Sequence, residues 1–265
     1  MSELRKILEK LAQGEYSIDE AEGKLRVFNI VEVARLAKLD VSRDTRKGIP
    51  EVVYAHHKTV DDLLQIIEQG MQVKPFLILS QLSKEQEQVI QKRIHQLRPE
   101  RHYIFDVYGD GSIAVIRTPE YKPTMMGGKI GIIAAGTSDR QAAEAARVMA
   151  EQMGCQVLVT FDVGVAGVHR LFPELADMID QGIDVLIVAA GMEGALPSLV
   201  TGLVDIPVIG LPIATGYGLG GEGLGALISM LQSCSLGLAV VNINNGVGAG
   251  AIAALIANRV ARKKL

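Results

Sequence analysis

Two side chains in the second half of the sequence have the chemistry of catalytic groups. Cys234 stands between two serines, and a thiolate at this position would be a nucleophile able to form a transient covalent bond. Glu193 follows an apolar stretch and is flanked by small residues, so its carboxylate is a candidate general base or ribose anchor. The alternatives are a cysteine that only packs in the core and a glutamate exposed on a loop.

Hydroxyl and carboxylate side chains also meet directly before a predicted helix. The segment Gly136-Thr-Ser-Asp139 lies between a predicted strand and a helix predicted over residues 140–153. Free backbone N–H groups at a helix N-terminus favour a phosphate or another anion, and Asp139 can accept hydrogen bonds from ribose hydroxyls. The alternative is that Ser138 or Asp139 only caps the helix.

A histidine and an arginine follow two glycines in another loop. His169 and Arg170 come after Gly164 and Gly167. Arg170 can bind a phosphate through two parallel hydrogen bonds, and His169 can either transfer a proton near neutral pH or serve a structural role. Glycines in the segment 242–250 likewise allow the backbone to come close to a ligand.

The elements that must position these residues repeat in the order apolar strand, glycine-containing loop, helix. Strands covered by helices on both faces are apolar nearly throughout, and five such stretches predict a parallel sheet. They are Ile130–Ala134, Gln156–Thr160, Val185–Ala189, Pro207–Leu211 and Leu238–Val241. Ligands of such sheets bind at the carboxyl ends of the strands. We expect the loops above, and Cys234, at that edge, and Cys155 at the opposite edge in a packing role.

The first part of the chain predicts a smaller unit. Seven of the 28 glycines precede position 128, so we place the domain boundary between residues 122 and 128. Two short helices, the second capped by Ser17 and Glu20, and a periodic apolar stretch around Phe28–Leu39 come first. The elements predicted after them are a strand at Glu51–Tyr54, a helix from Thr59 to Gly70, a strand at Phe76–Leu79, a helix capped by Ser83 and Gln86, and strands near Tyr103–Tyr108 and Ile113–Arg117.

The composition argues against several classes of protein. With 265 residues, 48% of them hydrophobic, and a net charge of −3, the chain is predicted to fold into two domains and to bind no nucleic acid. Its apolar stretches are far shorter than the roughly 20 residues of a membrane span, and no secretory signal is visible, so we expect a cytoplasmic protein. Two cysteines without metal-binding spacing indicate neither a disulfide framework nor a zinc site.

Taken together, these motifs resemble the LarB family, whose members synthesise pyridinium-3,5-biscarboxylic acid mononucleotide for the nickel-pincer cofactor. The resemblance covers essentially the whole chain and rests on the segments Asp40–Val53, Gly136–Asp139, Gly164–Arg170, Gly191–Pro197 and Ser233–Gly246. It implies an α/β protein, with a C-terminal flavodoxin-like three-layer domain over residues 128–265 and a smaller N-terminal α/β domain over residues 1–122.

The second domain is also similar to the aminoimidazole ribonucleotide carboxylases and mutases of purine synthesis, the PurE-like enzymes. Where those enzymes have Ala-Ala-His before Leu-Pro, this chain has Gly194 and Ala195 preceded by Glu193. A histidine central to purine-type chemistry is therefore missing. Cys234 and the whole first domain are features that the purine enzymes do not explain.

The LarB resemblance implies a specific reaction. It is carboxylation of nicotinic acid adenine dinucleotide at ring carbon 5, with carbon dioxide as co-substrate, followed by hydrolysis of the phosphoanhydride to release AMP. The implied catalytic residues are Cys234, Glu193, His169 and Asp139. The implied substrate-binding residues are Gly136, Thr137, Ser138, Asp139, Gly167, Arg170, Gly191, Met192, Gly194, Ala195, Leu196 and Asn244.

Further expectations concern cofactors and assembly. We expect a divalent cation such as Mg²⁺, no organic cofactor, and a homo-oligomer such as the octamer of the purine-type relatives. The glycine- and alanine-rich end, residues 246–261, would suit burial in that assembly. Two alternatives stay open: a carboxylase or mutase acting on an aminoimidazole ribonucleotide, and a non-enzymatic regulator that binds adenine nucleotides.

Overall fold

The structure is a computed structural model that describes residues 3–25, 30–33, 37–40, 43–97 and 102–264. By internal packing the chain forms two units. The first comprises Met1–Asp106 with Val115–Tyr121, and the second comprises Val107–Ala114 with Lys122–Leu265. The domain limits 1–122 and 128–265 stay a prediction.

The first unit begins with helices α1 (Glu3–Ala12) and α2 (Ile18–Leu25). The capping box of α2 is confirmed, because the Glu20 N–H donates to Ser17 Oγ at 3.2 Å and the Ser17 N–H donates to Glu20 Oε2 at 2.8 Å. The described residues of the periodic stretch around Phe28–Leu39 form a hairpin.

The hairpin consists of the antiparallel strands β1 (Ile30–Val33) and β2 (Ala37–Asp40), which precede the short helix α3 (Arg43–Lys47). Phe28 and residues 34–36 lie outside the described residues.

The predicted α/β elements of the first part of the chain are present. They are β3 (Val52–Tyr54), α4 (Val60–Val73), β4 (Phe76–Ser80), α5 (Lys84–Leu97), β5 (Ile104–Tyr108) and β6 (Ile113–Arg117), with strand order β3-β4-β6-β5. Thr59 and the Ser83–Gln86 pair cap their helices as predicted. The prediction that α4 ends at Gly70 is wrong, since the helix continues to Val73. It stops where Lys74 adopts an extended backbone before Pro75.

The second unit is the predicted parallel sheet. Its strands are β7 (Lys129–Ala134), β8 (Gln156–Thr160), β9 (Val185–Ala190), β10 (Val208–Pro212) and β11 (Leu238–Val240). All neighbouring pairs are parallel, and the strand order is β8-β7-β9-β10-β11. This is the flavodoxin-like order 2-1-3-4-5, so the predicted fold class is confirmed.

Helices cover both faces of this sheet and make it the middle of three layers. They are α6 (Arg140–Gln152), α7 (Leu171–Asp180), α8 (Ala195–Thr201), α9 (Leu224–Leu231) and α10 (Gly246–Lys264). Apolar side chains of α7, α8 and α9 share one core cluster with the sheet, and α6 packs against α10 on the other face. Among the described residues, no helix is long and apolar enough to cross a membrane.

Glycines set the distance between α6 and α10. A Cβ on Gly246 would lie 2.0 Å from the carbonyl oxygen of Ala142, and a Cβ on Gly250 would lie 2.3 Å from that of Ala146. In each helix these residues are four positions apart and so share one face. The small residues of α10 therefore pack against α6 of the same chain, while Ile252 and Leu255 remain exposed.

We expect Gly250→Ala to lower the free energy of unfolding by about 1–3 kcal/mol. The added methyl would force the two helices apart, which outweighs the gain of about 1 kcal/mol in helix propensity. The matched control is Gly23→Ala in α2, where a Cβ meets no atom within 4 Å and stability should rise slightly. Chemical denaturation of both variants measures the difference, and equal effects would contradict this account of the helix contact.

Candidate active site

A cleft opens at the carboxyl edge of the second sheet, where β7 and β9 lie side by side. Strand order reverses at this point, which is where ligands bind in doubly wound sheets. The cleft has a volume of about 230 Å³ and is formed by the loops after β7, β8, β9 and β10. Its lining residues are Ala135, Gly136, Ser138, Asp139, Gly164, Val165, Ala166, Ala190, Gly191, Met192, Glu193, Ala195, Leu196 and Thr215.

The carboxylate of Asp139 is held by three donors. Its Oδ2 accepts the Gly136 N–H at 2.9 Å, and its Oδ1 accepts the hydroxyls of Thr215 at 3.1 Å and Ser138 at 3.3 Å. Asp139 is only 3% exposed although it lines the cleft. Burial raises its pKa above the ordinary range, because the three donors offset only part of the lost hydration.

Thr215 is a cleft residue that the sequence analysis missed. It belongs to the loop after β10, and besides holding Asp139 it accepts the Met192 N–H on its carbonyl at 2.8 Å. Gly191 permits this approach, since a Cβ there would lie 1.9 Å from the Thr215 hydroxyl oxygen. The residue type alone does not mark Thr215 as a site residue. Its position just after a buried strand could have indicated that it lies at the carboxyl edge of the sheet.

Glu193 supplies the second carboxylate of the cleft. Met192 and Glu193 come after β9 and Gly191, and both are exposed while lining the cleft. The next residue, Gly194, has a left-handed φ of 62° and would place a Cβ 2.7 Å from the carbonyl oxygen of Ala226. Gly194 therefore shapes the turn into α8 without lining the cleft, and Glu193 projects from a rigid turn.

Several predicted site residues lie outside the cleft lining. Thr137 and His169 are exposed beside it, and Asn244 accepts the Ala214 N–H at 2.8 Å and so joins two loops. Arg170 donates from Nη1 to Asp162 Oδ2 at 2.5 Å and from Nε to the Gly167 carbonyl at 3.4 Å.

Gly167 and Arg170, both predicted site residues in the loop after β8, lie against each other. Gly167 allows the folded-back guanidinium of Arg170, since a Cβ there would lie 2.6 Å from Nη2. The phosphate-binding role of Arg170 stays a prediction.

Cys234 is not brought to the cleft of its own chain. It is exposed and lies between α9 and β11, and the neighbouring Ser235 hydroxyl donates to the Ser198 carbonyl in α8. A loop that precedes a parallel strand lies at the amino edge, about 15 Å from the carboxyl edge for a strand of five residues. The expectation that Cys234 lines this cleft is wrong for a single chain.

Cys155 also precedes a strand, and it is buried as expected. Its Sγ donates to Asn258 Oδ1 at 3.3 Å, and burial raises its pKa to about 12. It is therefore a packing thiol. In the part of the chain that the structure describes, no group of three or more His, Cys, Asp or Glu side chains is placed to hold a metal ion.

The raised pKa of Asp139 predicts a pH dependence of stability. A carboxyl group that binds its proton more tightly in the folded state contributes stability below about pH 4, and this contribution is lost as the pH rises through the folded-state pKa. Asp139→Asn has no such proton to lose. As the pH rises through the folded-state pKa, we therefore expect its free energy of unfolding to increase relative to that of the wild type.

Urea denaturation at a series of pH values measures the difference between the two proteins. Glu193→Gln, which removes an exposed carboxylate from the same cleft, controls for the loss of one charge. A difference for Asp139→Asn that stayed constant with pH, or changed in the opposite direction, would contradict the assignment.

Comparisons with known proteins agree with this architecture. Residues 129–264 match the family model described as AIR carboxylase, and residues 31–103 match that of the LarB/PurE-like N-terminal domain. The first match spans the parallel sheet and the cleft.

Relatives fall into two groups by the length that they share. An uncharacterized protein of Methanocaldococcus jannaschii is 39% identical over 256 residues, 96% of each chain. The N5-carboxyaminoimidazole ribonucleotide mutases of Thermotoga maritima and M. jannaschii are 31% and 35% identical, over 48% and 47% of this chain and 74% and 75% of their own lengths. Because an AIR carboxylase domain follows a LarB-type N-terminal domain, the chain belongs to the LarB family, a branch of the LarB- and PurE-like enzymes.

Proposed function

We propose that this protein carboxylates the pyridinium ring of nicotinic acid adenine dinucleotide at carbon 5 and hydrolyses the phosphoanhydride. The products are pyridinium-3,5-biscarboxylic acid mononucleotide and AMP, and the first of them serves synthesis of the nickel-pincer nucleotide. The observation that carries the proposal is the pairing of the LarB-type N-terminal domain with a PurE-like cleft in which Glu193 lines the wall.

The carboxylation needs a nucleophile because a pyridinium ring is too electron-poor to attack carbon dioxide. When the Cys234 thiolate bonds to ring carbon 4, the electron pair moves to the ring nitrogen and carbon 5 becomes an enamine-type nucleophile. Carbon 5 then bonds to carbon dioxide. Loss of its proton to a base and departure of the thiolate restore the aromatic ring.

Glu193 is the base best placed to take that proton. It lines the cleft and faces solvent, whereas His169 lies outside the lining residues. Asp139, oriented by Thr215 and Ser138, is suited to accept a hydrogen bond from a ribose hydroxyl. The exposed Ser138 hydroxyl, at the start of α6, is suited to a phosphate.

The nucleophile has to come from another copy of the chain. Cys234 lies at the amino edge of its own sheet, and exposed Leu231 and Leu236 flank it in the sequence at 65% and 95% exposure. Exposed Met192 and Val165 form an apolar rim on the cleft. We therefore propose a homo-oligomer in which the segment around Cys234 of one copy covers the cleft of the next.

The size of the cleft supports the same arrangement. Pockets for drug-sized ligands have volumes of roughly 300–1,000 Å³, so about 230 Å³ accommodates only part of a dinucleotide. A neighbouring copy would enclose the remainder. The Mg²⁺ expected for phosphoanhydride cleavage fits this cleft, since it binds chiefly through substrate phosphates and keeps several waters.

The second candidate is a carboxylase or mutase acting on an aminoimidazole ribonucleotide. The match of residues 129–264 to AIR carboxylase favours it, and it would use the same cleft. That chemistry has no need of a thiol, so it predicts that Cys234 is dispensable.

Incubation of the wild-type protein with nicotinic acid adenine dinucleotide, bicarbonate and Mg²⁺ should yield AMP and a nucleotide heavier by one carboxyl group. We expect Cys234→Ser to abolish carboxylation and Glu193→Gln to slow it by about 10²–10⁴-fold. Cys155→Ser is the matched thiol control and should remain active. Unchanged carboxylation by Cys234→Ser would reject the covalent mechanism, and a bound but unaltered dinucleotide would favour a regulator.

Transfer of the thiol between copies predicts complementation. We expect the separately inactive Cys234→Ser and Glu193→Gln proteins to regain activity when coexpressed in one oligomer. Random mixing pairs an intact glutamate with an intact cysteine at about a quarter of the sites of a symmetric assembly. If both groups came from the same chain, the mixed oligomers would show only the sum of the two parent activities.

A further inference from the structure

A glycine-rich loop rises from the cleft wall directly after Thr215. With the first two residues of α9 it spans residues 216–225, of which six are glycine. Both of its ends lie against Met192. A Cβ on Gly216 would be 3.5 Å from Met192 Cα, and a Cβ on Gly225 would be 3.3 Å from the Met192 carbonyl oxygen. The loop therefore leaves and returns at a single residue that lines the cleft.

The tip of this loop presents large apolar side chains to solvent. Tyr217 is 84% exposed, and Leu219 is fully exposed. The glycines on either side of Tyr217 have φ values of 150° and 75°, and a Cβ on Gly218 would meet no atom within 4 Å. The backbone after Tyr217 is thus free of packing, and both flanking glycines use conformations that glycine adopts at low cost.

Two carboxylates at this rim favour a cation there. Glu193 of the cleft and Glu222 of the loop are both exposed carboxylates. The guanidinium of Arg170 is paired with Asp162. The face of a tyrosine ring also attracts a cation, most strongly when the pair is removed from water. An exposed tyrosine is suited to a positively charged ring when its glycine-hinged loop carries Glu222 and leaves a cleft wall that contains Glu193.

We propose that Tyr217 closes over the cleft and stacks on the substrate ring, and that it selects the cationic aromatic ring over its neutral reduced form. This inference rests on the proposed function for the identity of the natural ring. Gly216 and Gly218 provide the hinge, and Met192 provides the fixed base of the loop. Tyr217 is thus a specificity-determining residue.

The test compares binding of NAD⁺ and NADH, which share every group except the charge and saturation of the nicotinamide ring. Binding can be followed by calorimetry or by quenching of tyrosine fluorescence, since the chain has no tryptophan. The wild type should bind NAD⁺ more tightly than NADH. Tyr217→Ala should lower the ratio of the two dissociation constants about fivefold to tenfold, and Tyr217→Phe should keep it within about twofold.

Leu219→Ala is the matched control, because it truncates an equally exposed side chain of the same loop and should leave the ratio unchanged. A ratio that Tyr217→Ala does not change overturns the inference, as does an equal effect of Leu219→Ala or a wild type without preference for NAD⁺. Misfolding or a lost subunit contact would weaken the binding of NAD⁺ and NADH alike, and would leave the ratio of their dissociation constants unchanged. The test measures binding and not turnover. A failed carboxylation assay would therefore count against the proposed function without deciding the role of Tyr217.

Discussion

The direction of five parallel strands determines what one chain of this protein can do alone. Every loop that follows a strand lies at one edge of the sheet, and every loop that precedes a strand lies at the other. The cleft with Asp139, Glu193 and Thr215 is formed by loops of the first kind. Cys234 belongs to a loop of the second kind. A covalent mechanism that needs both the cleft and Cys234 therefore requires a second chain.

Within the cleft, the burial of the Asp139 carboxylate depends on the close approach of Gly191 and Thr215. Gly191 leaves the space that the Thr215 hydroxyl occupies, and that hydroxyl is one of the three donors to Asp139. The three donors lie on two separate loops, so the carboxylate fixes the loop after β7 relative to the loop after β10. The three hydrogen bonds offset part of the cost of burying Asp139, and they join the two loops in doing so.

Local patterns were sufficient for the strands and helix caps, because these depend on residues close in sequence. The five strands of the second sheet, the Ser17–Glu20 box and the Thr59 cap follow from apolar runs and side-chain hydrogen bonds over three residues. The same patterns did not predict the Arg170–Asp162 pair or the role of Thr215, which depend on backbone approach between distant loops. Cys155 and Cys234 both stand between a helix and a strand, and attention to strand direction would have placed both at the amino edge.

The contact between α6 and α10 links the far end of the chain to the cleft. Helix α6 begins at Arg140, directly after Asp139, and Gly246 of α10 rests on the carbonyl of Ala142 in its first turn. The backbone that carries Asp139 is thus connected to the C-terminal helix through Gly246, which lies outside the residues that line the cleft. A larger side chain at Gly246 would push α6 away from α10 and so shift the backbone next to Asp139, although the change itself lies outside the cleft.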